Sequence, residues 1–504
     1  GENSIKSFFK LNSLSITGLE NKHLSIGAVN AILKFIKKTQ PENPRLLNTP
    51  RYYKSSDSMM IDSSAVENLE LLPRPNAQNG SLLENIDETV TSMGGRLFRS
   101  WLLSPLTNSS KIKNRQECVR YFMNNGIKRN SLRQTLKRIS DIERILNRLH
   151  SGRAYPRDLN SLKDSLSALP EMLEILNKRS TELLNTDEQP IYDLASKIQD
   201  MENLRKYLES AISDEPPATF KQGGYVKKGF SNDLDELKDI MSGAKKIIAG
   251  IEHEERRKTG IGNLKIGYTG VFGYYIEVTK SYLDKVPGDY IRKQTLANAE
   301  RFVTEALKES ENKILTAEEK ALRVEEQLFE DIKLEILRNR EKLITCSELT
   351  AELDCYSAMA DLACRNNYCM PVVNDNQTLR IMEGRHPVVE KNLPAGQTFI
   401  ANDIFMDGKD SQVLLITGPN MSGKSTYLRQ TALIVIMAQI GSGVPAKSAQ
   451  IGIVDQIFTR IGASDNLAKG ESTFMVEMRE TSTILHNLTP RSLVILDEVG
   501  RGTS

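Results

Sequence analysis

The residues from Gly418 to Ser425 have the types and spacing of a loop that binds phosphate groups. They read Gly-Pro-Asn-Met-Ser-Gly-Lys-Ser and fit the pattern G-x-x-x-x-G-K-[ST] at every defined position. The preceding run 412–417 predicts a buried strand, and 426–438 predicts a helix. In this strand–loop–helix arrangement, Lys424 supplies positive charge to the β- and γ-phosphates of a nucleotide. Ser425 offers a hydroxyl to Mg²⁺, and the helix N-terminus faces the anion.

A second strand carries acidic residues at its end. The apolar run Leu493–Leu496 predicts this strand, and Asp497 and Glu498 follow directly. In P-loop ATPases an acidic residue at such a strand end holds Mg²⁺, and a following Glu can act as the general base toward water. We therefore predict Asp497 as a Mg²⁺ residue with Ser425, and Glu498 as the catalytic base. A solvated strand end is the alternative for this pair taken alone.

Ser472 precedes a helical run between these two motifs. A serine in this position is a common helix N-cap, which is one interpretation. The other is an ABC-type signature, in which Ser472 of one subunit contacts the γ-phosphate held by another subunit. The second interpretation couples ATP binding to the closure of a dimer.

The elements around these motifs indicate more than one domain. Beyond Gly384, strands alternate with helices in an α/β layout. Between Ser81 and about Ser213 a helical period dominates, with one apolar face formed by Ile142, Ile145, Leu146 and Leu149.

Residues 233–370 predict two long helices that flank a small β module. A helical pattern covers 233–257, β-type segments follow at 264–268 and 273–278, and much of the stretch from Gly288 to Pro371 indicates one long helix. We expect an antiparallel stalk carrying a tip domain. A compact helical bundle with one hairpin is the alternative.

The tip is rich in basic residues. Between Arg256 and Arg301 there are nine Lys or Arg residues and four Asp or Glu residues, with tyrosines interleaved. Such a patch can follow DNA phosphates without reading sequence, although a solvated charged face is the alternative. The candidate DNA contacts are Arg292, Lys293, Asn298 and Arg301.

The bulk composition limits the class of protein. The chain has 504 residues, 39% hydrophobic and 26% charged, with a net charge of +2. This length predicts about three or four domains. Five cysteines without a CxxC pair favour reduced thiols, scattered histidines suggest no zinc site, and no apolar run reaches the ~20 residues of a membrane span.

With these motifs in place, the chain strongly resembles the bacterial MutS family of DNA mismatch-repair ATPases over essentially all of its length. The most specific segments are 417–431, 472–478 and 496–504. Segments that also look like MutS are 87–94, 155–159, 273–276 and 384–390.

The resemblance implies a multidomain α and α/β fold: a long-helix lever with an inserted β-containing clamp, followed by a P-loop ABC-type ATPase domain. It implies the end of a connector domain at 1–40, lever helices at 41–247 and 308–372, a DNA clamp at 248–307 and the ATPase domain at 373–504. We expect the sequence to be part of a longer product. It starts with Gly, contains no Phe-x-Glu mismatch wedge and stops just past the second strand.

The resemblance also implies the ligands and partners. Phe399 would stack on adenine, and Asn420 and, in trans, Ser472 would contact the γ-phosphate. The full set of nucleotide-binding candidates is Phe399, Gly418, Pro419, Asn420, Met421, Ser422, Gly423, Lys424, Ser425, Thr426 and Ser472. The implied cofactors are ATP and Mg²⁺. The implied partners are mismatched double-stranded DNA, a second copy of the protein and a MutL-type factor, in a cytoplasmic, nucleoid-associated setting without a membrane.

Three functions compete at this point. The first is ATP-gated mismatch repair by a dimeric sliding clamp. A second is a MutS-related ATPase acting in recombination. A third is a structural DNA-organising ABC ATPase, which would need far longer heptad runs than this stalk.

Overall fold

The computed structural model describes residues 1–9, 11, 13–39, 47, 49–50, 52, 54, 57–74, 80–177, 189–199, 201–394, 396–461 and 473–497. The helices are α1 (Glu2–Phe9), α2 (His23–Thr39), α3 (Ser63–Asn68), α4 (Leu82–Ile86), α5 (Ser92–Leu103), α6 (Ser109–Asn124), α7 (Gly126–Leu136), α8 (Ile142–His150), α9 (Pro156–Asn177), α10 (Gln189–Lys197), α11 (Glu202–Ala211), α12 (Asn232–Thr259), α13 (Glu305–Arg338), α14 (Arg340–Arg365), α15 (Pro387–Lys391), α16 (Lys424–Gln439) and α17 (Thr473–Asn487). The strands are β1 (Met60–Ile61), β2 (Lys265–Thr269), β3 (Gly273–Thr279), β4 (Ile291–Thr295), β5 (Ala299–Val303), β6 (Val372–Asn374), β7 (Leu379–Gly384), β8 (Asn402–Met406), β9 (Ser448–Gly452), β10 (Gln456–Ile461) and β11 (Ser492–Asp497).

The chain divides into two compact units. One comprises residues 1–141, 168–199 and 344–504, and the other comprises residues 142–167 and 200–343. Because each unit is assembled from separate stretches of sequence, neither could be delimited by a single linker.

The second unit contains the predicted pair of long helices and the β module between them. Strands β2 to β5 form an antiparallel sheet in the order β2-β3-β5-β4. Helices α12 and α13 pack against each other, and both contribute side chains to the core beneath the sheet. Local signals explain the helix ends: Ser231 and Thr304 cap the N-termini, and Gly260 ends α12 in the left-handed conformation.

The sequence predictions in this unit are confirmed, but two strands were not predicted. Helix α12, strands β2 and β3, and the buried apolar face of α8 agree with the sequence patterns. The second long helix is also confirmed, although it begins only after β5 and is interrupted at Asn339; the β module has four strands, two more than the sequence indicated. Strands β4 and β5 were missed because their connection, residues 296–298, contains no Gly or Pro to mark it.

A buried carboxylate organises the helical part of the first unit. Asp354 of α14 is fully buried and accepts hydrogen bonds from the backbone N–H groups of Val90 (3.0 Å) and Thr91 (2.7 Å) and from the Thr91 hydroxyl (2.7 Å). Thr91 in turn caps α5. The close approach leaves no room for a side chain at Gly94, where a Cβ atom would lie 2.3 Å from the carboxylate. The segment 87–94 is therefore a helix-capping segment held from a distant helix.

Two sheets complete the first unit. Strands β1, β10 and β11 form a parallel sheet in that order, and β6-β9-β7-β8 form a mixed sheet. The predictions of α16 and β11 are confirmed.

The predicted buried strand at 412–417 is wrong. This segment is irregular and exposed, with Val413 at 88% and Leu415 at 90% of full exposure. Among the described residues it has no strand partner, because β11 pairs only with β10. An apolar run becomes a buried strand only when a neighbouring strand satisfies its backbone groups.

In the described ranges, no helix combines the length and the apolarity needed to cross a bilayer.

Gly273 provides a test of the β module. Its φ is +73°, and a Cβ atom there would lie 1.7 Å from a carboxylate oxygen of Glu311, whose Oε1 accepts the N–H of Tyr274. We expect Gly273→Ala to lower the free energy of unfolding by about 1–3 kcal/mol, because it adds backbone strain and displaces this carboxylate. Denaturant unfolding measures the change. Gly270→Ala is the control, since a Cβ at Gly270 meets nothing within 4 Å. Equal effects of the two substitutions would contradict this account.

Candidate nucleotide-binding site

The phosphate-loop residues turn sharply into helix α16. Gly423 is the N-cap with φ +94°, and Met421 also has a positive φ of +64°. Glycine suits the first position because left-handed backbone carries no penalty without a Cβ. The N–H groups of the first helical turn have no acceptor within a helix, so they point out of the N-terminus beside the loop.

Lys424 lies across the loop that precedes it. Its Nζ donates to the carbonyl oxygens of Gly418 (2.8 Å) and Pro419 (2.9 Å). The positive charge is therefore held over the loop, beside the helix N-terminus. Both features favour an anion.

The two predicted Mg²⁺ residues lie in contact. Ser425 Oγ donates to Asp497 Oδ2 at 2.5 Å, although the residues are 72 positions apart. Asp497 is at the end of β11, and α16 packs on this strand. A hydroxyl and a carboxylate oxygen are the ligand types that Mg²⁺ prefers, so the pair fits that ion.

The parallel sheet fixes where Asp497 lies. Asp497 pairs with Ile461 of β10. Arg460, which precedes Ile461 in the same strand, is buried and forms ion pairs with Glu477 (3.9 Å) and Glu480 (3.2 Å) of α17. These ion pairs join the helix that follows Ser472 to the strand beside β11. Sequence reasoning did not identify Arg460, because a lone arginine in a strand carries no local signal.

The other predicted nucleotide-binding residues are only partly positioned by contacts. Asn420 and Ser422 are exposed on the loop, and Thr426 is half-buried in the first turn of α16. Phe399 is half-buried three residues before β8, and β8 contacts α16 through the Tyr427 hydroxyl, which donates to the Asp403 carbonyl (2.8 Å). Ser472 and Glu498 lie outside the described residues.

The segment 384–390 packs against α16. A Cβ on Gly384 would lie 2.8 Å from the side-chain nitrogen of Gln430. His386 caps α15 by accepting the Val389 N–H on Nδ1 (3.2 Å), and the side chain is buried. Burial, with a smaller contribution from the positive charge of Arg429, lowers the pKa of His386 to about 4. His386 is thus a neutral capping residue beside the phosphate-loop helix, a role that the sequence alone did not indicate.

The candidate DNA contacts lie on β4, on β5 and in the turn between these strands, and only some of them form ion pairs with neighbouring side chains. Lys293 and Asn298 are exposed, and Lys293 has no ion-pair partner in the described part of the chain. Arg292 is 62% exposed but pairs with the buried Glu300 (3.2 Å). Arg301 is largely buried: it pairs with Glu277 (3.1 Å) and lies 4.1 Å from the centre of the Tyr275 ring.

Ion pairs with neighbouring carboxylates neutralise several basic residues of the predicted patch. Arg301 and Arg292 are balanced by neighbouring carboxylates, as are Arg256 (with Glu252) and Lys258 (with Asp289). The exposed side chains without a described ion pair include Lys265, Lys280 and Lys293. These three lysines, together with the exposed Arg257 at the end of α12, carry more of the free positive charge than Arg292 and Arg301 do.

Two stretches of the chain match known sequence families. Residues 64–360 match MutS domain III, and residues 414–504 match MutS domain V. The first match alone covers more than half of the chain.

The chain belongs to the MutS family.

Curated MutS relatives match along the whole chain. Proteins named DNA mismatch repair protein MutS are 45% identical over 504 residues in Alkaliphilus oremlandii, 45% over 498 in Salinibacter ruber and 45% over 505 in Methanosarcina barkeri. The matches cover 98% to 100% of this chain and 54% to 56% of the relatives. The chain therefore spans little more than half the length of these MutS relatives, and it combines MutS domains III and V in a mixed helix and sheet fold.

His386 predicts a pH dependence of stability in this MutS chain. Its pKa is about 4 in the folded protein, against about 6.5 in an unfolded chain. Between these values only the unfolded state takes up the proton, so stability is complete above about pH 6.5 and falls as the pH drops toward 4, by about 3 kcal/mol in all. We expect His386→Asn, which retains a capping acceptor, to remove this part of the pH dependence. Urea unfolding at several pH values is the measurement, with the exposed His253→Asn as control. An unchanged pH profile in His386→Asn would be evidence against the buried neutral histidine.

Proposed function

We propose that this chain is the central and ATP-hydrolysing part of a MutS-type DNA mismatch-repair protein, with residues 373–504 forming a P-loop ABC-type ATPase domain. The observation that carries the proposal is the Ser425–Asp497 contact at the N-terminus of α16, beside Lys424. Charge, oxygen ligands and helix N–H groups meet there, which is the set that a nucleotide triphosphate with Mg²⁺ requires.

Each residue has a distinct task in this proposal. Lys424 and the first-turn N–H groups of α16 bind the phosphates, and Ser425 and Asp497 hold Mg²⁺, which when bound supplies charge that stabilises phosphoryl transfer. Phe399 stacks on the adenine and Asn420 contacts the γ-phosphate. Glu498 removes the proton from the attacking water.

Dimer formation completes the site in this proposal. Ser472 of a second copy contacts the γ-phosphate, so that nucleotide binding draws two copies together. The buried contacts of Arg460 with Glu477 and Glu480 support a rigid attachment of α17, the helix that follows Ser472, to the sheet that bears Asp497.

We assign the remaining parts by the same family pattern. Residues 1–40 are the end of the connector domain, 41–247 and 308–372 the lever, and 248–307 the clamp that holds double-stranded DNA. Lys265, Lys280 and Lys293 support the clamp assignment because their exposed charge is free to contact phosphates. A MutL-type factor is the expected downstream partner, and a cytoplasmic, nucleoid-associated location stays a prediction.

Mismatch repair is favoured over recombination by the relatives. The proteins similar to this chain over nearly all its residues carry the name DNA mismatch repair protein MutS. No feature of the described residues favours the recombination alternative or a structural DNA-organising ATPase.

Lys424→Ala tests nucleotide binding in the full-length protein. We expect ATP affinity to fall by about 10- to 100-fold, because a charge-assisted contact to the phosphates is lost. ATP-dependent release from DNA should fail with it. Equilibrium binding of a fluorescent ATP analogue and DNA release kinetics are the measurements. Lys409→Ala, at an exposed lysine outside the phosphate loop, is the matched control. Normal ATP affinity and DNA release in Lys424→Ala would refute the assignment.

Lys293→Glu tests the clamp. We expect weaker binding to matched and mismatched duplex by a similar factor, and a slope of log affinity against log salt that is smaller by about 1, because one phosphate contact is lost. Fluorescence anisotropy at several salt concentrations measures both. Arg323→Glu, a charge reversal at an exposed residue of α13, is the control. A loss restricted to mismatched duplex, or none, would argue against phosphate contact by Lys293.

A further inference from the structure

Helix α16 connects the phosphate loop to the helical part of its own unit. It begins at Lys424 in the loop and spans 16 residues to Gln439, which is about 24 Å. Its last ten residues, Gln430–Gln439, are all buried. A helix that is buried on every side cannot shift at one end without its neighbours responding at the other.

The C-terminal end of α16 is fastened to the connection between α5 and α6. The Leu106 N–H donates to the Gln439 carbonyl (3.1 Å), and Gln439 Nε2 donates back to the Leu106 carbonyl (2.7 Å). Gln439 is fully buried and also exchanges hydrogen bonds with Val454, donating at 2.9 Å and accepting at 2.8 Å. Two hydrogen bonds therefore join this helix end to the loop at Leu106.

Arg115 makes the second attachment. It comes from α6, and its Nη1 donates to the carbonyl of Ile440, the C-cap of α16 (3.3 Å). Its guanidinium carbon lies 3.6 Å from the centre of the Trp101 ring on α5. Gly441 accommodates this approach, since its φ is +91° and a Cβ there would lie 2.6 Å from the Arg115 side chain.

The two contacts of this side chain favour arginine at position 115. A cation at a helix C-terminus is favoured by the helix dipole, and a planar guanidinium on an indole ring adds a cation–π attraction. Lysine can supply the charge but not the planar stacking together with a directed N–H.

We propose that Arg115 is a positioning residue for the ATPase: it holds the C-terminal end of α16 against Trp101, so that a nucleotide-dependent displacement of the phosphate loop is transmitted through α16 to α5 and α6. This inference rests on the proposed nucleotide binding at Lys424. It adds a route by which the site acts on MutS domain III, to which Trp101 and Arg115 belong.

Trp101 supplies a readout because its ring contacts Arg115 and it is the only tryptophan among these 504 residues. The experiment uses the full-length protein and subtracts the emission of a Trp101→Phe variant, which isolates the signal of this ring. ATPγS with Mg²⁺ is added, and both its dissociation constant and the change in Trp101 emission are measured. The coupling between ATPγS and duplex DNA is obtained from DNA affinity with and without the nucleotide.

We expect the ATPγS affinity of Arg115→Met to stay within about twofold of wild type, as for sites that share no contacts. The nucleotide-dependent emission change and the coupling to DNA should each fall by about fivefold or more. Arg115→Lys should give an intermediate value, and it preserves the test should the methionine variant fail to fold. Arg120→Met, on the exposed face of the same helix, should behave as wild type.

Two outcomes separate this inference from the proposed function. If wild-type protein fails to bind ATPγS, the proposed function is wrong and the inference falls with it. If wild type binds ATPγS but Trp101 emission does not respond, or if Arg115→Met and Arg115→Lys respond as wild type does, the inference alone is overturned. Loss of ATPγS affinity in proportion to the emission change would also overturn it, since it would indicate general damage.

Discussion

The burial of the last ten residues of helix α16 is the constraint on which the rest of the first unit depends. Its residues from Gln430 to Gln439 are all buried, and Gln439 is held by hydrogen bonds to Leu106 and Val454, so packing on all sides determines where the helix lies. Because Lys424 and Ser425 form its first turn, the same packing determines where the phosphate loop points. The loop itself is exposed and has few contacts of its own, so its geometry is set by the helix behind it.

Buried carboxylates play a similar part in the helical regions of both units. Asp354 holds the cap of α5 from α14 in the first unit, and Glu325 of α13 accepts bonds from Lys238 of α12 and the Gly224 N–H in the second. A buried charge is tolerated only when donors surround it, so each carboxylate admits one arrangement of the segments that supply those donors. These contacts give the long helices a defined register that apolar packing alone would leave open.

Basic residues of the β module either form ion pairs within the sheet or remain exposed on its surface. Arg301 and Arg292 satisfy carboxylates within the sheet, whereas Lys293, at the position between Arg292 and Gln294 where the ladder shifts register, remains exposed. Arginine suits the internal role because its planar fork can contact a carboxylate and an aromatic face together. Lysine suits the exposed position because its compact ammonium group stays hydrated at the end of a flexible side chain.

The sequence by itself determined the features that depend on neighbouring residues: the phosphate loop and α16, strand β11 with Asp497, helix α12, and the family. Each rests on spacings of a few residues that local backbone geometry enforces. Tertiary structure decided what joins distant parts of the chain. Arg115 meets the end of α16 across 325 positions, and Thr91 meets Asp354 across 263. It also left residues 412–417 exposed, since a strand needs a hydrogen-bonding neighbour that an apolar run cannot specify. No periodic pattern encodes such contacts, because they follow from how separately formed elements pack.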